Sequence, residues 1–140
     1  MGKNSEIVKR CWELMESGRL DGLADVWAPD VEFKAPGTAL RGIEQIRPFL
    51  EVFFTAFPDL KHQVVTTTEG GDAVALELRV TGTHTRPLRT PNGEVPPTGR
   101  KVVWETCDVI RVKNGKVTAW HAYWDQVAFL TQLGLMPAAS

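Results

Sequence analysis

Residues 116–136 read Lys116-Val-Thr-Ala-Trp120-His-Ala-Tyr-Trp-Asp125-Gln-Val-Ala-Phe-Leu130-Thr-Gln-Leu-Gly-Leu135-Met. The first half alternates with period two. Val117, Ala119, His121, Tyr123 and Asp125 fall on one side, and Thr118, Trp120, Ala122 and Trp124 on the other. Aromatic and β-branched residues make this a strand. The period then changes. Val127, Leu130 and Leu133 fit a short helix, and Gly134 suits the position just past its end.

Asp125 is the residue out of place, a carboxylate closing an aromatic strand. Two readings stand. It can cap the following helix by accepting backbone N–H groups. It can also lie in an apolar pocket, where desolvation raises its pKa towards the range of a proton-transfer base.

Just upstream, Asn114-Gly115 is a two-residue hairpin signal between Arg100–Lys113 and Lys116–Asp125. A regular ladder would set Lys113 against Lys116, Asp108 against His121, Thr106 against Tyr123 and Trp104 against Asp125. One face would then carry Trp104, Thr106, Asp108, Ile110, His121, Tyr123 and Asp125. Directly opposed residues lie about 4.5–5.5 Å apart at Cβ, so Asp108 and His121 would touch. That pair is either a satisfied cross-strand contact or part of a site. A bulge would shift the register and void the pairing. The other face would show Glu105, Cys107, Val109, Thr118, Trp120, Ala122 and Trp124, an apolar patch suited to a homodimer.

Outward from this hairpin, 4–17 carries a helical stripe (Ile7, Val8, Cys11, Trp12, Leu14, Met15) ended by Gly18. A second short helix runs from Asp21 to Trp27. Val31, Phe33 and Ala35 alternate with Glu32 and Lys34 in a short strand ended by Pro36-Gly37. Gly42 to Phe57 is helical, with Pro48 near its start or at a kink. Strands follow over Leu60–Glu69 and Ala73–Thr85, joined by Gly70-Gly71-Asp72. Arg86–Gly99, with four prolines, reads as a long loop. The pattern predicts an α+β fold: a curved antiparallel sheet wrapped around the N-terminal and central helices, cone-shaped with an internal pocket.

The 140 residues make one domain, 1–140. A 43% apolar and 24% charged composition is that of a globular protein, and a net charge of −1 gives no basic field for nucleic acid or membrane. No apolar run reaches the roughly 20 residues that span a bilayer. Cys11 and Cys107 lack metal-ligand spacing and are expected as free core thiols, in keeping with a cytoplasmic protein. No metal site and no cofactor are expected. His62, beside Lys61, reads as a surface residue. His84 closes a strand beside the long loop, as core, rim or ligand contact.

Gly82-Thr83-His84-Thr85, Pro96-Pro97-Thr98-Gly99-Arg100, Asp108-Val109-Ile110-Arg111 before Asn114-Gly115-Lys116-Val117, and Trp124-Asp125 leading to Gln132-Leu133-Gly134 together resemble the SnoaL-like polyketide cyclases. Gly42-Ile43-Glu44 and Phe57-Pro58-Asp59 fit as well. The resemblance covers nearly the whole chain. It implies the nuclear-transport-factor-2-like cone and a cofactor-free aldol closure, with an aspartate at the end of the last strand removing a proton alpha to a carbonyl. That position matches Asp125. Some members add a histidine on the preceding strand, and Arg100–Lys113 has none.

The resulting expectation is a cofactor-independent cyclase-like enzyme acting on a small hydrophobic carbonyl compound. Asp125, His121 and Asp108 are the catalytic candidates. Trp104, Tyr123, His84, Phe33, Phe53 and Phe57 are the substrate-binding candidates. The alternatives are a ketosteroid-isomerase-like or epoxide-hydrolase-like enzyme, or a non-catalytic binder of a hydrophobic metabolite.

Overall fold

The computed structural model describes residues 2–136. In chain order it holds α1 (Lys3–Glu16), a 3-10 turn (Leu20–Asp25), β1 (Trp27–Ala35), β2 (Thr38–Arg41), α2 (Ile43–Ala56), β3 (Lys61–Gly70), β4 (Ala73–Thr83), β5 (Leu88–Thr90), β6 (Gly93–Val95), β7 (Lys101–Lys113), β8 (Lys116–Trp124) and α3 (Gln126–Gln132). Six strands form one curved, unclosed sheet in the order β2-β1-β8-β7-β4-β3. The predicted long loop contains a small hairpin of its own, β5 with β6.

The sheet is mixed rather than wholly antiparallel, because β1 runs parallel to β8. After β1 and β2 the chain leaves through α2 and re-enters at the far edge as β3. The first and last long strands therefore meet inside the sheet, and their long separation in sequence supplies the crossover a parallel pair needs.

The concave face buries alternate residues. β7 turns Val102, Trp104, Thr106, Asp108, Ile110 and Val112 inward, and β4 turns Val74, Leu76, Leu78 and Val80 inward. Onto them α1 packs Val8, Cys11, Leu14 and Met15, and α2 packs Ile46 and Leu50. Each buried Val, Leu, Ile or Met side chain among them contributes roughly 1.5–3 kcal/mol by leaving water. Gly82 lets the end of α2 close on β4, since a Cβ there would come within 3.1 Å of Phe57 Cβ. Asp59 fastens the same corner by accepting from Thr83 N at 2.7 Å and Thr83 Oγ1 at 2.8 Å. At the other end of the sheet, Glu69 accepts from Ser5 N and Oγ and ties α1 to β3.

The β7–β8 turn is as expected. Asn114 and Gly115 both have positive φ, 52° and 76°, as a type I′ hairpin requires. The ladder beyond it is not. Val112 pairs with Val117 but Arg111 pairs with Ala119, so Thr118 is an extra residue, a β-bulge. From there on, every β8 side chain changes face. Asp108 pairs with Ala122, and Val109 with His121. Trp120, Ala122 and Trp124 turn inward, whereas Ala119, His121 and Tyr123 turn outward. The apolar patch expected outside loses both tryptophans: Trp120 is 2% exposed and Trp124 joins the core from its margin.

α3 packs Phe129 into the core and is tied to β7 by Gln132. At Val103 β7 pairs with Thr81 of β4 on one side, and on the other side β8 has already ended. Gln132 takes that place, with Oε1 accepting from Val103 N and Nε2 donating to Val103 O, both at 2.8 Å. Among the described residues, no helix is long and apolar enough to cross a membrane.

Candidate active site

Asp108 is the one carboxylate in the buried row of β7. Its neighbours in the row are Trp104, Thr106 and Ile110, and the alternation that buries them buries it, to 3% exposure. Oδ2 accepts from Trp120 Nε1 at 3.0 Å. Oδ1 is buried and has no partner among the described residues. Burial pushes the carboxyl up to about 6; the Trp120 bond, the nearby His62 charge and Thr106 pull the other way and temper the rise.

Asp108 lines an internal cavity of about 70 Å³ between sheet and helices. Trp12 and Met15 of α1, Phe53 and Phe54 of α2, and Phe33, Trp104, Trp120 and Trp124 of the sheet make its walls aromatic. Three buried polar atoms on these walls are unpartnered among the described residues: Trp12 Nε1, Thr106 Oγ1 and Asp108 Oδ1. A donor, a hydroxyl and a carboxylate oxygen thus share one apolar chamber. Buried polar groups are nearly always paired, so a chamber with three open ones is built for something polar to enter.

His62 also lines the cavity rather than the surface. It pairs with Val80 on the inward face of β3. The sequence held a signal for this, because Leu60, His62 and Val64 alternate with Lys61 and Gln63. Its Nδ1 lies 3.0 Å from Glu16 Oε2, and its ring stacks on Trp12 with centroids 4.0 Å apart. Among the described residues, no three His, Cys, Asp or Glu side chains come together as a metal-binding group.

The nine residues singled out in the sequence divide. Asp108, Trp104, Phe33 and Phe53 line the cavity. His121 and Tyr123 face away from it, because the Thr118 bulge turned them out; His121 Nε2 lies 3.7 Å from Glu32 Oε1, and Tyr123 is 55% exposed. Phe57 is fully buried beside Trp104 and Phe129 and does not reach the cavity wall. His84 is also fully buried and does not line the cavity; its Nδ1 accepts from Thr98 N at 3.2 Å at the base of the 86–99 segment, and its Nε2 has no partner among the described residues. Burial lowers its pKa. Asp125 follows β8 directly, and its Oδ1 accepts from Ala128 N at 3.0 Å, which makes it the N-cap of α3.

The sequence model of one family, SnoaL-like polyketide cyclase, matches residues 5–133. The chain belongs to this family. Among solved structures, a SnoaL-like protein of Jannaschia sp. CCS1 is 28% identical over 96% of this chain and 93% of its own, with a TM-score of 0.84. AclR of Streptomyces galilaeus is 25% identical over 96% and 98%, with a TM-score of 0.81. IdmH of Streptomyces antibioticus is 28% identical over 95% and 99%, with a TM-score of 0.79. The first and third are provisionally described as polyketide cyclases, and AclR as a hydroxylase. No curated protein matches the chain. The SnoaL-like cone therefore carries more than one described chemistry, and the side chains inside it must decide which one applies.

In this SnoaL-like chain the cavity offers one carboxylate with its pKa raised, unpaired donors beside it, and aromatic walls. A carboxylate freed from water and poised near neutrality can remove a proton from carbon. Indole N–H and hydroxyl groups in a dry site stabilise an oxygen on which charge develops.

Proposed function

We propose that the protein is a cofactor-independent, cyclase-type enzyme in which Asp108 is the general base. Its substrate is a hydrophobic carbonyl compound with a flat ring system. Asp108 Oδ1 takes a proton from the carbon alpha to a carbonyl. The resulting enolate attacks a second carbonyl of the same molecule and forms a carbon–carbon bond. The new alkoxide is then protonated, and Asp108 gives up the proton it took. The Trp12 N–H and the Thr106 hydroxyl are donors for the enolate oxygen.

The observation that carries this reading is the open Asp108 Oδ1, buried at the wall of an aromatic cavity while Trp120 holds Oδ2. Asp125 keeps a structural part in it, because its carboxylate is turned to the first turn of α3. At about 70 Å³ the cavity is well below the roughly 300–1,000 Å³ of a typical ligand pocket. Loading a ring system thus requires the aromatic walls to move apart.

The experiment uses 2-tetralone, a bicyclic ketone with acidic α-protons, in D₂O. The protein should catalyse exchange of those protons, Asp125→Asn should retain that catalysis, and Asp108→Asn should lose it. Exchange by Asp108→Asn at the wild-type rate, or binding of the ketone with no catalysed exchange, would overturn the proposal.

A further inference from the structure

We propose that His62 is a second proton-transfer group of this cavity, held in place by Glu16 and acting on a ligand oxygen while Asp108 acts on carbon. The inference rests on the reading of Asp108 as base.

The hold begins at the last turn of α1. Glu16 Oε2 accepts from the His62 backbone N–H at 2.7 Å and meets the ring Nδ1 at 3.0 Å. Burial alone would raise the Glu16 carboxyl, but the bonds and charge from His62, with Lys61, outweigh it and lower its pKa. The carboxylate is therefore ionised and can only accept. Nδ1 must carry the hydrogen it shares with Glu16. That fixes the tautomer and leaves Nε2 as the ring atom still open to proton transfer.

The ring is also fixed in space. It lies on Trp12 at 25° between planes, with Phe54 at 6.2 Å between centroids, and its side chain is only 10% exposed. A surface ion pair joining α1 to β3 would need neither the aromatic packing nor a place on the cavity wall. Trp12 in turn meets Trp120 edge-on at 5.0 Å, and Trp120 donates to Asp108. A continuous aromatic run thus has an imidazole at one end and a carboxylate at the other. A flat ligand lying along it would present a C–H to one and an oxygen to the other.

The proton balance closes. The carbon proton passes to Asp108 Oδ1, from there through water to the open Nε2 of His62, and from Nε2 to the alkoxide formed with the carbon–carbon bond. The Nδ1 hydrogen stays on His62 and donates to Glu16 throughout. Asp108 and His62 then stand as they began.

The test is a pair of binding constants with probes that differ by one oxygen, 2-naphthol and naphthalene, measured by fluorescence. His62→Phe keeps the ring stack on Trp12 and the backbone N–H to Glu16, so it should keep its melting temperature and its affinity for naphthalene. Its preference for 2-naphthol over naphthalene should fall at least fivefold from the wild-type value. Glu16→Gln, which frees the ring to turn, should lose part of that preference. An unchanged preference in His62→Phe would overturn the proposal, as would wild type binding neither probe. So would a preference that survives His62→Phe and disappears in Asp108→Asn. None of these results depends on catalysed exchange, so failure of His62 and failure of Asp108 as base can be told apart.

Discussion

Trp120 Nε1 donates to Asp108 Oδ2 at 3.0 Å although the two are not cross-strand partners. Trp120 pairs with Ile110, and Asp108 with Ala122. The bond runs diagonally across the β7–β8 ladder, and it exists because the Thr118 bulge turns Trp120 inward. Without that extra residue Trp120 would point to the convex face, and His121 instead would stand opposite Asp108.

Asp108 should destabilise the fold it serves. A carboxyl of ordinary value 3.8 that sits at about 6 when folded binds its proton more tightly in the native state. Stability therefore falls as pH rises through that interval and stays lowered above it. About two units correspond to roughly 3 kcal/mol. Asp108→Asn should unfold later than wild type at pH 7.5, by about 1–3 kcal/mol in urea titrations. The gain should vanish near pH 4, where wild type is protonated too. Equal stabilities at both pH values would contradict the desolvated carboxyl.

Asp125 should behave as a cap. Asp125→Ala removes the acceptor for Ala128 N and should cost about 1 kcal/mol. Asp125→Asn should cost less, because Asn also caps. Thermal denaturation reads both, and a melting temperature in Asp125→Ala equal to wild type would remove the cap from the account.

Much of this chain was legible because local chemistry was specific. Asn114-Gly115 named its own turn, since few residue pairs accept two positive φ angles. The stripes of α1 and α2 set their inward faces. The bulge at Thr118 was not legible for an equally physical reason. Both sides of β8 are apolar, with Ala119, His121 and Tyr123 against Trp120, Ala122 and Trp124. No polar face fixed which side was solvent. The two tryptophans on one side were the available hint that this was the inner face. The same slip moved His121 and Tyr123 out of the site while leaving Asp108, on the cleanly alternating β7, where it was expected to lie. His62 was missed because Lys61 beside it suggested solvent, whereas adjacent strand residues face opposite ways.

Gln132 should matter far more than an exposed helix residue. Gln132→Ala removes two backbone-directed bonds to Val103. A loss of about 1–3 kcal/mol is expected, with faster amide hydrogen exchange at Val103. Protection at Val103 equal to wild type would show that α3 is held by other means.

Glu16→Gln should narrow the pH range of stability. The Glu16 pKa is lowered in the folded protein, so its contribution is present above the unfolded value of 4.5 and is lost as pH falls through the folded one. The stability difference between wild type and Glu16→Gln should be full at pH 6 and disappear in strong acid. A difference independent of pH would mean that the carboxylate charge plays no part in holding His62.

The cysteines should separate by reactivity. Cys107 is exposed on the convex face; Cys11 is buried, accepts from Trp27 Nε1 at 3.3 Å, and is pushed up to about 11 by burial. A thiol reagent at pH 8 should modify one thiol per native chain and two after unfolding. Rapid labelling of both in the native protein would show that the α1–β1 contact opens freely.

The pH dependence of 2-tetralone proton exchange by the wild-type protein shows whether Asp108 is the base. If Asp108 is the base, the rate must follow its ionised fraction. It should be low at pH 4.5, rise with a midpoint at about 6, and level off above. A midpoint near 4, the ordinary range of a solvated carboxylate such as an unburied aspartate, or a rate indifferent to pH across this range, would contradict Asp108 as the base.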